Sequence, residues 1–491
     1  MPMRRLLLFV TLVIVVLVGI ATARTLRLTV PATASDARVT PPVDADSAAA
    51  HLAAAVRFPT VSVQDGATDS TAFRALHAWL AHTYPLTHQH LTLQLVGGLS
   101  LFYTWKGSDT TKAPVVFMGH QDVVPVIPGT EAKWTHGAFN GDVAEGFIWG
   151  RGTLDDKATV IAVFEAIEQL LREGFQPTRT IYLAFGHDEE ISGRQGAQAI
   201  ATMYASRKLA APALVLDEGG AVFDGAVLGV SGTVALVGAS EKGFASLELS
   251  ADGDGGHSST PPRETHIGRI ARAVVRLEDD QFPATLDGAT ESLLEAAAPL
   301  MPFGQRFAMG NLWLFKPLVA RALLARPATA AMVRTTTAPT IFQAGARDNV
   351  LPPTAKAVVN FRIRPGDTVD GVIARVNRVI ADSAVHVRAL GFSSEPSPVS
   401  DYRGPAFNTV AKTVRQTLGA TPPLVAPYLV VGATDARYWA RLSPYVFRFN
   451  PFPFELDVLT RMHGTNERLP VKAFADGVRY YEQLVKNLES M

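Results

Sequence analysis

A His-x-Asp pair follows one of the most apolar runs of the chain. The run, from Pro114 to Met118, predicts a buried strand, and His120 and Asp122 come directly after it. Side chains two residues apart on an extended segment project to the same side. One of the two can therefore bind a metal while the other holds the imidazole ring by a hydrogen bond. Because α/β sheets place their chemistry at the carboxyl ends of parallel strands, this pair predicts a functional site.

Further carboxylates follow other apolar runs, and a second histidine lies near the end of the chain. The candidate groups at these positions are His120, Asp122, Asp155, Glu189, Glu190, Asp217 and His463. Two histidines and three carboxylates are enough for a two-zinc site in which one carboxylate bridges the ions, although manganese or cobalt would accept the same ligands. The chain has no cysteine, which excludes thiolate ligands and disulfides.

Two adjacent glutamates, Glu189 and Glu190, can have different roles at such a site. One can bind a metal while the other acts as a general base toward a metal-bound water. Zinc lowers the pKa of that water to about 7, so hydroxide is available near neutral pH. These residue types therefore point to metal-assisted hydrolysis.

The elements around these groups predict how they are positioned. Strands are expected at Thr180–Phe185 and Leu214–Leu216, with helices at about Asp155–Leu171 and Gly193–Arg207. Strands that alternate with helices of this length favour βαβ units and a mostly parallel sheet flanked by helices.

The length and the pattern of the chain predict more than one domain. A chain of 491 residues exceeds one ordinary core. The pattern changes near Glu241 to a small antiparallel sheet with two helices, and α/β character returns near Pro405. The predicted divisions are a signal or anchor (1–28), a linker (29–46), a first catalytic part (47–240), an α+β insert (241–398) and a second catalytic part (399–491).

The N-terminal segment predicts export or anchoring. Residues 6–23 are almost wholly apolar and lie between Arg5 and Arg24. Ala21–Ala23 offers a small-x-small cleavage site, but the apolar run exceeds the usual ~7–15 residues of a signal peptide. An uncleaved membrane anchor is therefore slightly favoured, and in either case the remainder is expected outside the cytoplasm, in the periplasm or secreted.

The charge of the chain excludes one class of partner. Lys and Arg together number 45, as do Asp and Glu, so the formal net charge is zero. This balance argues against nucleic acid or acidic lipid held by bulk charge. The sequence also lacks the glycine patterns of phosphate-binding and dinucleotide-binding loops.

Longer motifs surround the candidate groups and carry a resemblance. They are His120-x-Asp122, Gly150-Arg151-Gly152-Thr153-x-Asp155-Asp156-Lys157, Asp188-Glu189-Glu190, Asp217-Glu218-Gly219-Gly220 and His463-Gly464. They resemble the co-catalytic zinc aminoacylase/carboxypeptidase family, peptidase family M20. The likeness covers roughly residue 47 to the C-terminus.

Other motifs resemble one branch of that family, which holds carboxypeptidase S and the secreted N-fatty-acyl-amino-acid synthase/hydrolase. They are Glu241-Lys242-Gly243, Gly256-His257-Ser258-Ser259-x-Pro261-Pro262, Arg334-Thr335-Thr336-Thr337, Asn349-Val350-Leu351-Pro352-Pro353 and Asn360-Phe361-Arg362-Ile363. The resemblance implies an α/β catalytic domain of the di-zinc aminopeptidase type with an inserted α+β lid/dimerisation domain. It also implies two Zn²⁺ per subunit and a homodimer through the lid.

The resemblance assigns roles residue by residue. The implied metal ligands are His120, Asp155, Glu190, Asp217 and His463. Asp155, joined to Asp156 by a cis peptide, would bridge the ions; His120 and Asp217 would complete one site, and Glu190 and His463 the other.

The remaining implied roles concern catalysis and substrate. Glu189 would act as general base and acid, and Asp122 would orient His120. His257 would stabilise the oxyanion, often across a dimer interface. Asn349 and Arg362 would bind the carboxylate and backbone of the substrate.

The sequence leaves several functions open. The first is hydrolysis of amide bonds in N-acyl amino acids, with the reverse condensation also available; the alternative is a carboxypeptidase or dipeptidase acting on short peptides. The apolar segment Leu293–Leu324 either lines a groove for a long acyl chain or serves as lid packing or a dimer face. A binding or scaffold protein without catalysis is disfavoured because every metal and base position holds a competent residue. A lipid-binding role at a membrane surface is a weaker alternative, since only the N-terminal segment and the apolar insert suggest it.

Overall fold

The computed structural model describes residues 2–29, 36–64, 68–419, 421–453, 455 and 457–491, so part of the predicted linker lies outside the described residues. The chain divides into two compact units. One, called here the insert unit, comprises Met1–Thr29, Ser240–Val399 and Leu429–Ala433. The other, the main unit, comprises Val30–Ala239, Ser400–Tyr428 and Thr434–Met491.

Helices occur in both units. They are α1 (Pro2–Arg27), α2 (Ala45–Val56), α3 (Ser70–Thr83), α4 (Pro85–His90), α5 (Lys157–Arg172), α6 (Ala197–Ser206), α7 (His266–Asp279), α8 (Gly288–Ala297), α9 (Phe303–Met309), α10 (Leu312–Leu323), α11 (Pro327–Val333), α12 (Val369–Ile380), α13 (Pro405–Thr417), α14 (Val458–Arg461) and α15 (Val471–Asn487).

Strands likewise occur in both units. They are β1 (Thr92–Val96), β2 (Ser100–Trp105), β3 (Val115–His120), β4 (Asp142–Ala144), β5 (Phe147–Trp149), β6 (Ile181–Gly186), β7 (Leu214–Asp217), β8 (Ala221–Asp224), β9 (Thr233–Glu241), β10 (Gly243–Asp252), β11 (Gly256–His257), β12 (Thr336–Ala344), β13 (Val350–Leu351), β14 (Thr354–Ile363), β15 (His386–Ser394), β16 (Leu424–Val430), β17 (Val446–Arg448) and β18 (Arg468–Pro470).

The large sheet runs in the order β1-β2-β6-β3-β7-β17-β9-β16. Its centre is parallel, since β3 pairs with β6 and β7, and β7 with β17, all in the same direction. The predicted α/β class is confirmed, but the sheet is mixed because antiparallel strands extend it on both sides. On one side these are β1 and β2, joined by a turn in which Gly97 and Gly98 have φ of 60° and 88°.

Burial on both faces explains why the central strands are apolar throughout. Every residue of β3 is buried, and α5 packs against this strand. Helix α15 in turn packs on α5, and both helices bury most of their residues. This is the environment that a continuous Val/Ile/Leu/Phe strand requires. It leaves the carboxyl ends of β3, β6 and β7 as the polar edge of the sheet.

The insert unit has its own antiparallel sheet, in the order β12-β14-β10-β15. Burial alternates along β10 and β14, and their inward residues form one core with the apolar faces of α7 and α12. Leu247, Phe361 and Ile270 belong to that core and are fully buried. The expected α+β arrangement of two helices on a small sheet is what a sheet with one covered face produces.

The apolar segment Leu293–Leu324 is divided among α8, α9 and α10, and α11 follows it. Leu286, Leu312, Val319 and Val333 form a small separate core there. Within the described residues, α1 is the one helix long and apolar enough to cross a membrane, and its central apolar residues are exposed.

Candidate metal centre and active site

Asp155 lies between the two predicted histidines. Its Oδ1 is 2.8 Å from Nε2 of His120, and its Oδ2 is 2.9 Å from Nε2 of His463. The peptide bond between Asp155 and Asp156 is cis, as the resemblance implied. A carboxylate whose two oxygens face two different histidines has the geometry of a ligand shared by two metal ions.

His120 is supplied by the end of β3 and is buried. Its Nδ1 lies 2.9 Å from the backbone oxygen of Asp122 and 3.4 Å from the Asp122 carboxylate. The second of these distances is long for a hydrogen bond, so the backbone carbonyl makes the better contact. Both contacts lie on the Nδ1 side of the ring, and Nε2 is directed toward Asp155; the orienting role expected of Asp122 stays a prediction.

The carboxylate of Asp122 also fixes the segment that carries the two glutamates. It accepts hydrogen bonds from the backbone N–H groups of Glu189 and Glu190, each at 3.1 Å. Ser62 donates a third bond at 2.7 Å. One buried carboxylate therefore couples the loop after β6 to the end of β3, and this explains why Glu189 and Glu190 lie beside His120 rather than in solvent.

The loop before Asp155 is fixed by a buried ion pair. Nη1 of Arg151 lies 2.5 Å from Oε2 of Glu467, whose other oxygen accepts bonds from the N–H groups of Gly152 and Leu154. Gly152 has φ +91°, and a side chain there would press on Val123. Burial raises the pKa of Glu467 to about 7, although Arg151 opposes the shift. The pair fixes the backbone that ends at Asp155.

His463 forms the open side of the centre. It has φ +60°, its side chain is 53% exposed, and its Nε2 lies 3.4 Å from Oε2 of Glu190. Hydrogen bonds to Asp155 and Glu190 raise the pKa of His463 to about 10 in the metal-free protein. Oε1 of Glu190 is buried and has no hydrogen-bond partner among the described residues. A bound cation would give this oxygen a partner.

The Asp217-Glu218 pair adds a candidate ligand that the sequence did not predict. Oε1 of Glu218 lies 3.3 Å from Nε2 of His120, and His120, Asp156 and Glu218 form one of the groups whose ligand atoms lie close enough to hold a metal. Asp217, at the end of β7, instead accepts a 2.7 Å bond from the N–H of Ala436. The ligand role predicted for Asp217 stays a prediction, and Glu218 is a further candidate ligand beside His120.

The electrostatics of this cluster fit a divalent cation. Burial and neighbouring acidic groups raise the pKa values of Glu189, Glu190 and Glu218, for Glu218 to about 8. The pKa of Asp155 moves the other way, since hydrogen bonds from His120 and His463 outweigh the effect of burial. Crowded carboxylates that repel one another, with imidazoles between them, form a donor set that binds zinc-like ions. A second group of ligand atoms, from His120, Asp155 and Glu190, satisfies the same spacing.

The predicted lid residues lie in the insert unit. His257 and Asn349 are close together there, because β11 pairs with β13 and the N–H of Ser258 donates to the carbonyl of Asn349. His257 is exposed, and its Nδ1 lies 2.8 Å from Oγ of Ser259. Arg362 lies on β14, with its guanidinium over the ring of Phe244. Their expected roles toward substrate stay predictions.

Several residues of the centre were not predicted as site residues. They are Ser62, Arg151, Glu218, Asp435 and Glu467. Arg151 and Glu218 lie inside the quoted motifs, so their proximity to the named ligands was a usable signal. Both carboxylate oxygens of Asp435 are buried without a hydrogen-bond partner in the described part of the chain, and burial raises its pKa well above the usual range. No pattern around Ser62 or Asp435 indicates their position.

Comparison with known proteins identifies the family. The sequence model of peptidase family M20/M25/M40 matches residues 116–487. The chain is 40% identical over 447 residues to "Probable carboxypeptidase S-like 2" of Dictyostelium discoideum, which covers 90% of this chain and 85% of that one. It is also 40% identical to the N-fatty-acyl-amino acid synthase/hydrolase PM20D1 of Xenopus tropicalis, over 89% of this chain and 85% of the other.

A solved structure shows the same fold. The M20 family metallo-carboxypeptidase Sso-CP2 from Sulfolobus solfataricus superposes with a TM-score of 0.67 at 18% identity, covering 91% of this chain and 100% of that one. Such low identity supports the fold, while the sequence matches support the family. The chain therefore belongs to the M20 peptidase family and is a metallohydrolase.

Proposed function

We propose that this metallohydrolase cleaves the amide bond of N-acyl amino acids, including long-chain fatty-acyl ones, with two zinc ions per subunit. The observation that carries the proposal is the position of Asp155, whose two oxygens face His120 and His463 separately. The relative in Xenopus tropicalis, named as an N-fatty-acyl-amino acid synthase/hydrolase, supports the substrate class.

The metal pair would be held on both sides of Asp155. His120 with Glu218 or Asp217 would complete the buried side, and Glu190 with His463 the open side. Zinc at these positions supplies Lewis acidity toward a carbonyl oxygen and lowers the pKa of bound water. Manganese or cobalt would suit the same oxygen and imidazole ligands.

Glu189 would move the proton. Its backbone N–H is held by Asp122, so its carboxylate has a defined place beside the centre. Burial and nearby acids raise the pKa of Glu189, which favours its taking a proton from the attacking water. A bound cation would oppose that shift and leave the group able to release the proton. The proton then goes to the amide nitrogen as the C–N bond breaks, giving a carboxylic acid and a free amino acid.

The insert unit would supply contacts to the substrate. We propose that His257 stabilises the developing oxyanion, an interaction whose loss typically costs about 10²–10³-fold in rate. Arg362 is suited to a two-bond contact with a free α-carboxylate, and Asn349 would contact the substrate as an amide donor. A homodimer through the insert unit remains part of this proposal, as does placement of the protein outside the cytoplasm.

A second function is supported by another relative. The Dictyostelium protein of equal identity is named a probable carboxypeptidase S-like protein. Removal of a C-terminal residue from a short peptide uses the same amide chemistry and the same carboxylate contact. The two functions differ only in whether the acyl part is a lipid or a peptide.

Measuring amino-acid release by the purified full-length chain tests both proposed functions. The substrates are Phe and Leu carrying acyl groups from N-acetyl to N-oleoyl, with Gly-Leu-type dipeptides beside them. Each assay is run with zinc, after chelation, and with Glu189→Gln as the matched inactive control. Chelator-sensitive release that rises with acyl length supports the proposal; a preference for dipeptides supports the second function. Release that survives chelation or E189Q contradicts both.

A further inference from the structure

The C-terminal end of α1 is fastened to the helices of the insert unit by a buried polar contact. The side-chain amide of Asn311, at the start of α10, donates to the carbonyl of Ala21 at 3.2 Å and to Oγ1 of Thr25 at 3.0 Å. All three residues are fully buried. A buried amide that loses such partners is costly, by about 1–3 kcal/mol, so this contact specifies where α1 ends on the insert unit.

Packing beside this contact is close as well. Leu28 sits against the backbone of Gly310, and a Cβ added at Gly310 would overlap the Leu28 side chain. The glycine therefore allows the segment after α1 to approach the junction of α9 and α10. In contrast, the long middle part of α1 is exposed on nearly all of its apolar residues. One end of the helix is thus fixed to protein while its middle lies free of protein contact in the described chain.

Large apolar side chains are also exposed on the two helices that hold this end. Phe303 on α9 is 56% exposed, and Trp313 and Leu318 on α10 are 51% and 63% exposed. The indole nitrogen of Trp313 donates to Oδ1 of Asn311, so this ring lies next to the fastened end of α1. We call Phe303, Trp313 and Leu318 the anchor-adjacent patch.

We propose that α1 is retained as a membrane anchor and that the anchor-adjacent patch lies in the surface layer of the same phospholipid bilayer. Three observations favour lipid as the occupant. Trp313 is hydrogen-bonded to the asparagine that holds the end of α1, and α1 is an exposed helix of membrane-spanning length, whose 26 residues extend about 39 Å at 1.5 Å per residue. A tryptophan with its polar edge hydrogen-bonded suits the interface between acyl chains and headgroups. Arg24 and Arg27 are exposed in the last turn of α1, where long cationic side chains reach from a membrane helix to the headgroup layer.

This inference does not depend on the substrate proposed above, since it concerns only how the insert unit contacts the membrane. It predicts that part of α9 and α10 is shielded from water by lipid and not by protein. Leu312, Val319 and Ala320 of α10 already pack into the core, so the same helix would divide its residues between protein and bilayer.

The absence of cysteine makes a clean labelling test possible. The full-length chain carrying Leu318→Cys is labelled with an environment-sensitive fluorophore and placed in lipid nanodiscs containing phosphatidylglycerol. Val275→Cys on α7, where the valine is 53% exposed, is the matched control. The expected result is a blue-shifted emission at position 318, quenched by doxyl-labelled phosphatidylcholine and protected from iodide, whereas the label at position 275 is quenched by iodide alone.

Other outcomes would overturn the proposal. Iodide quenching at position 318 equal to that at position 275 would show the patch in water. Protection from both quenchers would mean that protein covers it, as in a pair of copies joined through α10. Intact mass of the membrane-bound protein must include residues 6–23, and loss of that segment would contradict retention of α1. Asn311→Ala provides a second variant, in which doxyl quenching at position 318 should weaken while α1 remains in the lipid.

Discussion

The two sides of the proposed metal centre share Asp155 but differ in how the protein holds them. His120 is buried at the end of a central strand, with its ring fixed by Asp122. The side chain of His463 is 53% exposed, and the residue lies in a loop with φ +60°. Before any metal binds, a buried ligand on a strand is held more firmly than an exposed ligand on a loop. We therefore expect the buried side to set the geometry and the open side to govern metal exchange and response to pH.

The largest effect should come from removing the residue that both sides share. Asp155→Asn keeps the size of the side chain but lacks the second carboxylate oxygen that faces His463. Both sides should lose metal, and activity should fall to background, as measured by metal content and amino-acid release. A D155N protein that retains two metals per chain would contradict the shared-ligand geometry.

Glu189→Gln should separate chemistry from metal binding. Loss of a general base typically costs about 10²–10⁴-fold in rate, so kcat should fall in that range. Metal content and KM should stay near those of the unaltered protein, because Glu189 is not among the proposed ligands. Loss of metal in E189Q would instead assign this residue to the ligand set.

A paired substitution sharpens the account of the buried side. Glu218→Gln should weaken metal binding more than Asp217→Asn, because Glu218 faces His120 while Asp217 bonds the N–H of Ala436. For Asp217→Asn we expect a loss within the about 10–100-fold typical of supporting residues. Competition with a chromogenic chelator measures both. The reverse order would restore Asp217 as the ligand on this side.

The open side should respond to pH. The pKa of His463 is raised to about 10 in the metal-free protein, so a metal must displace its proton at lower pH. Affinity should rise by up to about tenfold per pH unit toward pH 10, and less steeply in His463→Ala. In the metal-free protein the sign is opposite: stabilisation by His463 is full below its unfolded pKa of about 6.5 and is lost as pH rises through about 10. Titration calorimetry of metal binding and scanning calorimetry of the metal-free protein, each repeated over a range of pH, check these two pH dependences.

The smallest effect should come from Ser62→Ala. This change removes the 2.7 Å bond to Asp122, worth about 0.5–1.5 kcal/mol of unfolding free energy. Ser100→Ala is the matched control, since Ser100 makes a similar buried contact with His187. Both variants should lose similar stability in denaturant unfolding, but only S62A should weaken metal binding. Equal metal affinity in the two would mean that Asp122 keeps its position without the serine.

The difference between the two sides also explains what the sequence revealed. His120, Asp155 and Glu190 follow apolar strands or motif residues, and local spacing is enough to mark them. Asp217 was predicted as a ligand and Glu218 was not, because spacing alone does not tell which of two adjacent carboxylates lies beside His120. That depends on tertiary contacts such as the bond from the Ala436 N–H to Asp217, supplied from much later in the chain. Ser62, Asp435 and Glu467 act through tertiary contacts that no local pattern encodes.

The fold was predictable for a related reason. Hydrophobic periodicity marked the strands and helices, and the α/β class followed from their alternation. The direction of the outer strands could not be predicted, because an apolar run has the same appearance in a parallel and an antiparallel pair. The insert's apolar segment was recognised, but its contact with the end of α1 rests on one buried asparagine, whose partner lies 290 residues earlier.

The distance along the chain between Asp155 and His463 bears on how the protein is made. The two residues are 308 positions apart, and Glu467, which holds the loop before Asp155, is equally late. Synthesis proceeds from the N-terminus, so a growing chain carries His120, Asp155 and Glu190 long before their partners exist. An incomplete polypeptide would therefore have no hydrolytic activity. The active site can form only when translation is almost finished.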